Sequence, residues 1–318
     1  MNFWNKLLSK LENNCSVYVL TVIEHHGSSP GRQGFKMFVS DDGFIFGSIG
    51  GGVMEYKLVE ELRLLLKEGS SSFFLRKQEH RGRSEDGSGM ICSGEQTIVF
   101  HPLTKRDAST ITHLIYCLDN NKKAVLKLTS DTFELNNELI ENQYSCQILN
   151  SEEWYFEELI GYRNTLYIIG GGHVAYSTSK IIKTLGFRIV VIEDRHGLNT
   201  LEQNEYADEK LVVDYNEIDK YLETGNESYV AVMTNTYAKD KYVLSEILSK
   251  KYKYVGVLGS KTKIEKLFSD LREKGINNDI LGKIHSPIGV DINSQTPDEI
   301  AISIAAEIIA VKNSVNVE

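Results

Sequence analysis

Leu166-Tyr-Ile-Ile-Gly-Gly-Gly-His-Val-Ala175, continuing to Val190-Val-Ile-Glu-Asp-Arg195, is the stretch on which the reading of this chain turns. The apolar run Leu166 to Ile169 stops at Gly170, Gly171 and Gly172. Val174, Thr178, Ile181, Ile182 and Leu185 then recur at helical spacing, and Gly186 supplies a residue able to take positive φ at the helix end. A second apolar run, Ile189 to Ile192, ends in Glu193. Strand, glycine-rich turn, helix, strand and acid in that order form the first half of a dinucleotide-binding fold.

The chemistry follows from the residue types. Gly170 permits the tight turn, and Gly172 lets the backbone approach a pyrophosphate. Ala175 stands where close helix–strand packing asks for a small residue. Backbone N–H groups at residues 172–175, from Gly172 and His173 onward, with the positive end of the helix dipole, would hold the anion beside Gly170 and Gly171. Glu193 lies about twenty residues on, where an acid hydrogen-bonds the ribose hydroxyls of NAD or another adenosine nucleotide. The same pattern also admits a Rossmann-like domain whose nucleotide site is empty or reads something else.

At 318 residues the chain has room for two domains, each with its own core. Its 41% hydrophobic and 25% charged residues are ordinary for a soluble globular protein. The net charge of −9 removes the attraction for a phosphate backbone, so nucleic acid is not expected as a partner. Met1 to Lys10 lacks the unbroken apolar core of a signal peptide, and the longest apolar candidate, Ile300 to Val311, is interrupted by Glu307. No membrane partner is expected either. The four cysteines, Cys15, Cys92, Cys117 and Cys146, show no CxxC spacing and no disulfide framework, which fits a reducing cytoplasm.

Before the glycine turn, residues 3–14 read as an amphipathic helix and Val17 to Ile23 as a strand. Phe35 to Val39 and Phe44 to Phe46 read as a hairpin over Asp41-Asp42-Gly43. Gly47-Ser-Ile-Gly-Gly-Gly52 then precedes a helix with Met54, Leu58, Leu62, Leu65 and Leu66 on its buried stripe. Backbone donors at Gly50, Gly51 and Gly52 would suit a phosphate or oxyanion; the plainer reading is a tight strand-to-helix turn with nothing bound. Arg81 to Gly94 is polar, glycine-rich and long enough for a functional loop. Cys92, near its end, reads either as a thiolate ligand for a soft metal or as a small buried hydrophobe.

A helix is expected around Ile111 to Leu118, and strands at Ala124 to Leu128 and Ser145 to Leu149. The acidic, aromatic piece Glu152 to Glu158 reads as the lead into the next domain, with the boundary near Tyr162: residues 1–161 and then 162–318. Beyond the first strand–helix–strand unit, strands at Leu211 to Asp214, Tyr229 to Thr234 and Tyr254 to Leu258 alternate with helices over 216–223, 239–250 and 261–274. That alternation predicts an α/β fold: a C-terminal Rossmann-like, doubly wound parallel sheet behind an N-terminal α/β (α+β) domain. Thr234 to Thr236, and Gly259, Ser260 and Lys261, would then meet the nucleotide crevice. Thr296, Pro297 and Glu299 signal a capped final helix whose stripe, Ile300, Ile304, Ala305, Ile308 and Val311, reads as core rather than dimer surface.

Taken together these motifs resemble the XdhC/CoxI family, accessory proteins for molybdenum hydroxylases such as xanthine dehydrogenase. The resemblance runs over nearly the whole chain. It is carried by Gly27-Ser-Ser-Pro30, Gly47 to Gly52 with Glu55, Gly89-Met-Ile-Cys-Ser-Gly94, Gly170 to Val174, Gly256-Val-Leu-Gly-Ser260, His285-Ser-Pro-Ile-Gly289 and Thr296 to Ile304. It implies a protein that binds molybdenum cofactor, holds it while its sulfido ligand is installed, and delivers it to an apoenzyme. The implied partners are the hydroxylase apoenzyme, a cysteine desulfurase and a second copy in a homodimer. On that reading Gly50 to Gly52 would hold the pterin phosphate, Cys92 would offer a thiolate to molybdenum or keep the cofactor reduced, and Gly170, Gly172 and Glu193 would bind a nucleotide or the pterin's nucleotide-like portion.

Two departures stand out. Cys92-Ser93-Gly94 replaces the family's Cys-Gly-Gly, and Thr234-Asn235-Thr236 replaces Thr-His-Asp, which removes a titratable group from the strand end. The resemblance favours a handling protein over an enzyme. The alternatives are an NAD(P)-dependent oxidoreductase using His173, Lys261 or His285 as acid or base, and a non-catalytic nucleotide sensor.

Overall fold

The structure is a computed structural model and describes residues 3–80, 94–120, 122–140, 142–161 and 164–314. The chain divides into two compact units, Met1–Tyr162 and Arg163–Glu318.

The first unit runs α1 (Phe3–Glu12), β1 (Val17–Gly27), β2 (Lys36–Ser40), β3 (Ile45–Gly47), α2 (Gly52–Lys67), β4 (Phe74–His80), β5 (Gly94–Leu103), α3 (Ala108–Asp119), β6 (Ala124–Thr129), β7 (Phe133–Asn136), β8 (Tyr144–Ile148) and β9 (Trp154–Ile160). Five strands make an antiparallel sheet in the order β3-β2-β1-β5-β4. Side chains alternate across a strand, so β1 serves two cores. Tyr18, Leu20 and Val22 pack with Leu58, Leu62 and Leu66 of α2. Val17 and Val19 pack instead with α1, α3 and a second antiparallel sheet, β7-β6-β9-β8. The acidic segment read as a lead into the next domain is largely β9. Trp154 and Phe156 are buried and Tyr155 is half-exposed; Glu157 and Glu158 follow on opposite faces, and Glu158 is paired with Lys36.

The second unit runs β10 (Thr165–Ile169), α4 (His173–Lys183), β11 (Arg188–Glu193), α5 (Asn199–Glu202), β12 (Glu209–Val212), β13 (Gly225–Val232), α6 (Tyr237–Ile247), β14 (Tyr252–Val257), α7 (Lys261–Glu273), α8 (Asn278–Leu281) and α9 (Pro297–Asn313). All five strands are parallel, in the order β12-β11-β10-β13-β14. Numbered along the unit this is 3-2-1-4-5, the Rossmann order. The central strands are apolar throughout because both faces are covered. Leu166 and Ile168 face a core with α4 and α9; Tyr167 and Ile169 face one with α6 and α7.

Residues 216–223, expected as an α-helix, hold only a 3-10 turn, Tyr215–Lys220. Asp214 caps it from Asn216 N–H, and its buried residues, Tyr215 and Ile218, are three apart, the spacing that stacks side chains in that tighter helix. The final helix starts as its sequence requires. Thr296 accepts from Glu299 N–H, and Glu299 accepts from Thr296 N–H.

Ile304 is fully buried between α9 and the sheet, whereas Ile302, two positions earlier, is 51% exposed. Ile304→Ala should therefore cost about 2–5 kcal/mol, and Ile302→Ala within about 0.5 kcal/mol of nothing, read as paired shifts of the urea unfolding midpoint.

Candidate functional site

The strand order reverses between β10 and β13, and parallel sheets of this kind bind ligands outside the strand ends at that reversal. Gly170 closes β10 there with φ 113°, and a Cβ on it would lie 2.3 Å from the Met233 carbonyl oxygen just past β13. Only glycine lets the turn pass between the two strands. Gly171 is clamped on both sides. Its N–H donates to Glu193 Oε2 at 2.8 Å, and its carbonyl accepts from Thr200 Oγ1 at 2.5 Å. Gly172 is the N-cap of α4 and brings no side chain to it, and a Cβ on Gly172 would meet nothing within 4 Å. The neighbouring helices differ: Thr236 caps α6 and Ser260 caps α7. Thus α4 alone of these three opens the crevice with backbone donors that no side chain answers, next to exposed His173.

Glu193 supports this turn from beneath. It is 1% exposed; one oxygen takes Gly171 N–H and Arg195 Nη2, the other Asp194 N–H, Arg195 N–H and Arg195 Nε. Burial alone would raise its carboxyl, but the Arg195 guanidinium, Gly171 N–H and the neighbouring amides outweigh it and hold the pKa to about 2. Sequence position suggests a carboxylate facing ribose; the structure turns it inward, onto the glycine loop. The next acid, Asp194, is ion-paired with Lys239 at 2.6 Å.

A second carboxylate at the crevice has no counterpart in the motif reading. Asp240 of α6 is fully buried and accepts from Thr234 N–H (3.0 Å), Thr234 Oγ1 (2.6 Å) and Lys263 Nζ (2.5 Å). Lys263 also donates to the Leu258 carbonyl at 3.0 Å. The cluster ties the ends of β13 and β14 to α6 and α7. Its signal is present in the sequence, for Asp240 lies three, four and seven residues before Val243, Leu244 and Ile247, on their apolar stripe. The Ser260 hydroxyl is engaged with Lys263 N–H, and a Cβ on Gly259 would lie 2.8 Å from the Lys263 chain. His285 belongs to a separate cluster: its Nδ1 is 3.1 Å from Glu307, which also accepts from Tyr254 Oη and Gly289 N–H. That arrangement fastens α9 to the segment following α8.

The first unit's glycine run has its own occupant. Gly50, Gly51 and Gly52 take φ values of 131°, 73° and 74°, and a Cβ at Gly50 would lie within 2.9 Å of Pro30 and Gly31. Glu55 Oε2 accepts from Ser48 Oγ, Ile49 N–H and Gly51 N–H at 2.8–2.9 Å, while Gly50 N–H donates to Ser48 Oγ at 3.1 Å. The expected phosphate cradle is thus filled by a carboxylate of the chain itself, and a phosphate would have to displace it. Behind the run, buried Gln96 accepts from Ser29 Oγ and Gly31 N–H and donates to Gln78 and the Ile49 carbonyl. Cys92 lies outside the described residues. Among those described, Cys15, Asp41 and Asp42 alone stand close enough together to hold an ion. Asp42 already answers Lys10, and burial with the nearby aspartates pushes the Cys15 thiol up, so the group is poorly suited to a metal.

Comparison with known proteins is consistent across the chain. Residues 166–308 match the XdhC Rossmann domain, and residues 11–77 match the XdhC and CoxI family. The uncharacterized protein YqeB of Escherichia coli (strain K12) is 25% identical over 99% of this chain, which spans only 47% of YqeB. A probable xanthine dehydrogenase subunit from Bacillus subtilis (strain 168) is 22% identical, with 99% of each chain covered. A solved structure described as a xanthine dehydrogenase from Bacillus halodurans shares the fold, with a TM-score of 0.72 at 23% identity over 97% of this chain and 95% of the other. Among the described residues of either unit, no helix is long and apolar enough to cross a membrane. With both family matches in their expected order, one in each unit, the chain belongs to the XdhC/CoxI family.

Proposed function

We propose that this chain is an accessory protein that binds molybdenum cofactor by its phosphate at the start of α4 and delivers it to a molybdenum hydroxylase apoenzyme. The observation that carries the reading is the uncapped turn at Gly172, placed at the reversal of strand order and open where a side chain would otherwise stand. A phosphate suits that donor set: backbone N–H groups converge on it and the helix dipole favours negative charge. The cofactor, once bound, supplies the molybdenum chemistry that the client enzyme uses. The chain's own residues orient and hold. Glu193 and Thr200 fix Gly171, and Asp240 with Lys263 fixes the opposite wall. Installation of the sulfido ligand by a cysteine desulfurase, and a thiolate role for Cys92, belong to the same proposal. The inward turn of Glu193 gives no support to a ribose-reading NAD(P) oxidoreductase.

Gly172→Asp separates this role from stability. Aspartate at an N-cap accepts helix N–H groups and should stabilise the chain by about a few tenths of a kcal/mol. The same carboxylate would occupy the phosphate donors, so anaerobic equilibrium binding of molybdenum cofactor should weaken at least about tenfold. Unchanged affinity in a folded Gly172→Asp protein would move the cofactor elsewhere, and Cys92→Ser measured alongside tests the thiolate.

Glu193 should leave a pH signature. Its carboxyl is depressed on folding, so the stability it contributes is complete above its ordinary value of 4.5 and is lost as pH falls towards about 2. Glu193→Gln should destabilise the protein by on the order of 2 kcal/mol at neutral pH. The gap between the two proteins should shrink as pH drops through that window, as measured by urea unfolding at a series of pH values.

A further inference from the structure

We propose that the outer edge of β14 in the second unit is a docking site for an extended, acidic peptide segment of a partner protein. The proposal does not rest on the cofactor reading. β14 ends the parallel sheet. Its upper half is covered by the chain following α8: Val257 N–H donates to the His285 carbonyl and His285 N–H to the Val255 carbonyl, both at 2.9 Å. Below that point the pairing with β13 is irregular: Gly225 N–H donates to the Lys251 carbonyl at 2.9 Å and Gly225 pairs with Tyr252, which turns the Lys253 N–H towards β13. On the outer side the Val255 N–H and the Lys253 carbonyl have no partner in the described turns and loops. One donor and one acceptor of this edge are therefore open to a further extended segment.

These two groups belong to residues that line a cavity of about 470 Å³, formed between residues 248–255 and 280–284. Leu248, Val255, Ile280 and Ile284 give it apolar walls, and Lys250, Lys251, Lys253 and Lys283 line it with positive charge. Lys250 is paired with Asp219. Lys251, Lys253 and Lys283 have no carboxylate partner among the described residues. In a chain of net charge −9, three unpaired ammonium groups around one cavity reverse the sign of the surface locally.

Lysines on a sheet edge commonly keep neutral or basic strands away. That task needs no apolar-walled cavity beside the edge. Open backbone groups, apolar walls and unpaired cations together fit a segment that alternates acidic and apolar residues. One pair of main-chain hydrogen bonds, to the Val255 N–H and the Lys253 carbonyl, would set its register, one row of side chains would enter the cavity, and the other would meet the lysines.

The test is fluorescence-polarisation titration of the full chain with a labelled Glu-Val-Glu-Ile-Glu-Val peptide. Saturable binding is expected, weakened at least about tenfold by the double variant Lys251→Glu, Lys283→Glu, and to a similar degree by N-methylation of alternate peptide amides. Both lysines are exposed, so the variant should keep the wild-type urea midpoint and circular dichroism. Three results would overturn the proposal: no saturable binding, equal binding by the charge-reversed chain, or equal binding of the N-methylated peptide. Displacement of the peptide by inorganic tripolyphosphate at lower concentration than by unlabelled peptide would also overturn it, assigning the lysines to a small anion.

Discussion

A glutamate carboxylate that accepts backbone N–H groups from a glycine-rich turn occurs in each unit, and the candidate sites take their shape from it. Glu55 gathers Ile49 and Gly51 N–H groups before α2, and Glu193 takes Gly171 N–H before α4. Glycine runs carry a large entropy loss on folding and have no side chains with which to order themselves. Charge-assisted hydrogen bonds are among the strongest available for that task. The consequences differ. Glu55 takes up donors that an anion would need, whereas Glu193 grips one residue earlier and leaves those at the start of α4 facing outward.

The second unit is largely legible in its sequence, because its strands are near-continuous apolar runs and its turns are marked by glycine. Gly170 to Glu193 contains turn, helix and strand in order, and the final capping box at Thr296 stands as read. The direction of Glu193 is not legible. Its position relative to the turn is the same whether it faces ribose or the loop, and only the packing of α5, which brings Leu198, Thr200 and Leu201 against Gly171, settles it. Asp240 escapes for a related reason: a carboxylate on an apolar stripe looks like an error of register until Thr234 and Lys263 are seen to satisfy it. In the first unit β9 is obscured because the adjacent Glu157 and Glu158 break its apolar run between the aromatics and Leu159-Ile160.

Glycine in the first unit serves contact as much as conformation. A Cβ on Gly31 would lie 2.3 Å from the Ile49 carbonyl oxygen, and one on Gly94 would lie 2.4 Å from Ser29 N. The loops around residues 27–34 and 47–52 and the start of β5 therefore meet backbone to backbone, with the Gln96 amide bonded among them. A buried amide with four partners tolerates little rearrangement, since any one lost bond leaves a desolvated polar group behind. Gly50 and Gly94, both quoted for the family resemblance, thus have a packing explanation that requires no ligand.

The pairing of the crevice cations bears on how fast an anion can arrive. Arg195, Lys239 and Lys263 are each neutralised by an internal carboxylate, Glu193, Asp194 and Asp240. What remains to attract a phosphate is exposed Lys261 at the first position of α7 and the start of α4, a field of partial charges that fades within a turn of the helix. The whole chain carries a net charge of −9, which does not draw anions in from longer range. On the proposed reading such a site would hold an anion at contact but do little to steer one in from bulk solution, so its association kinetics would favour transfer from a donor already docked alongside over capture by free diffusion.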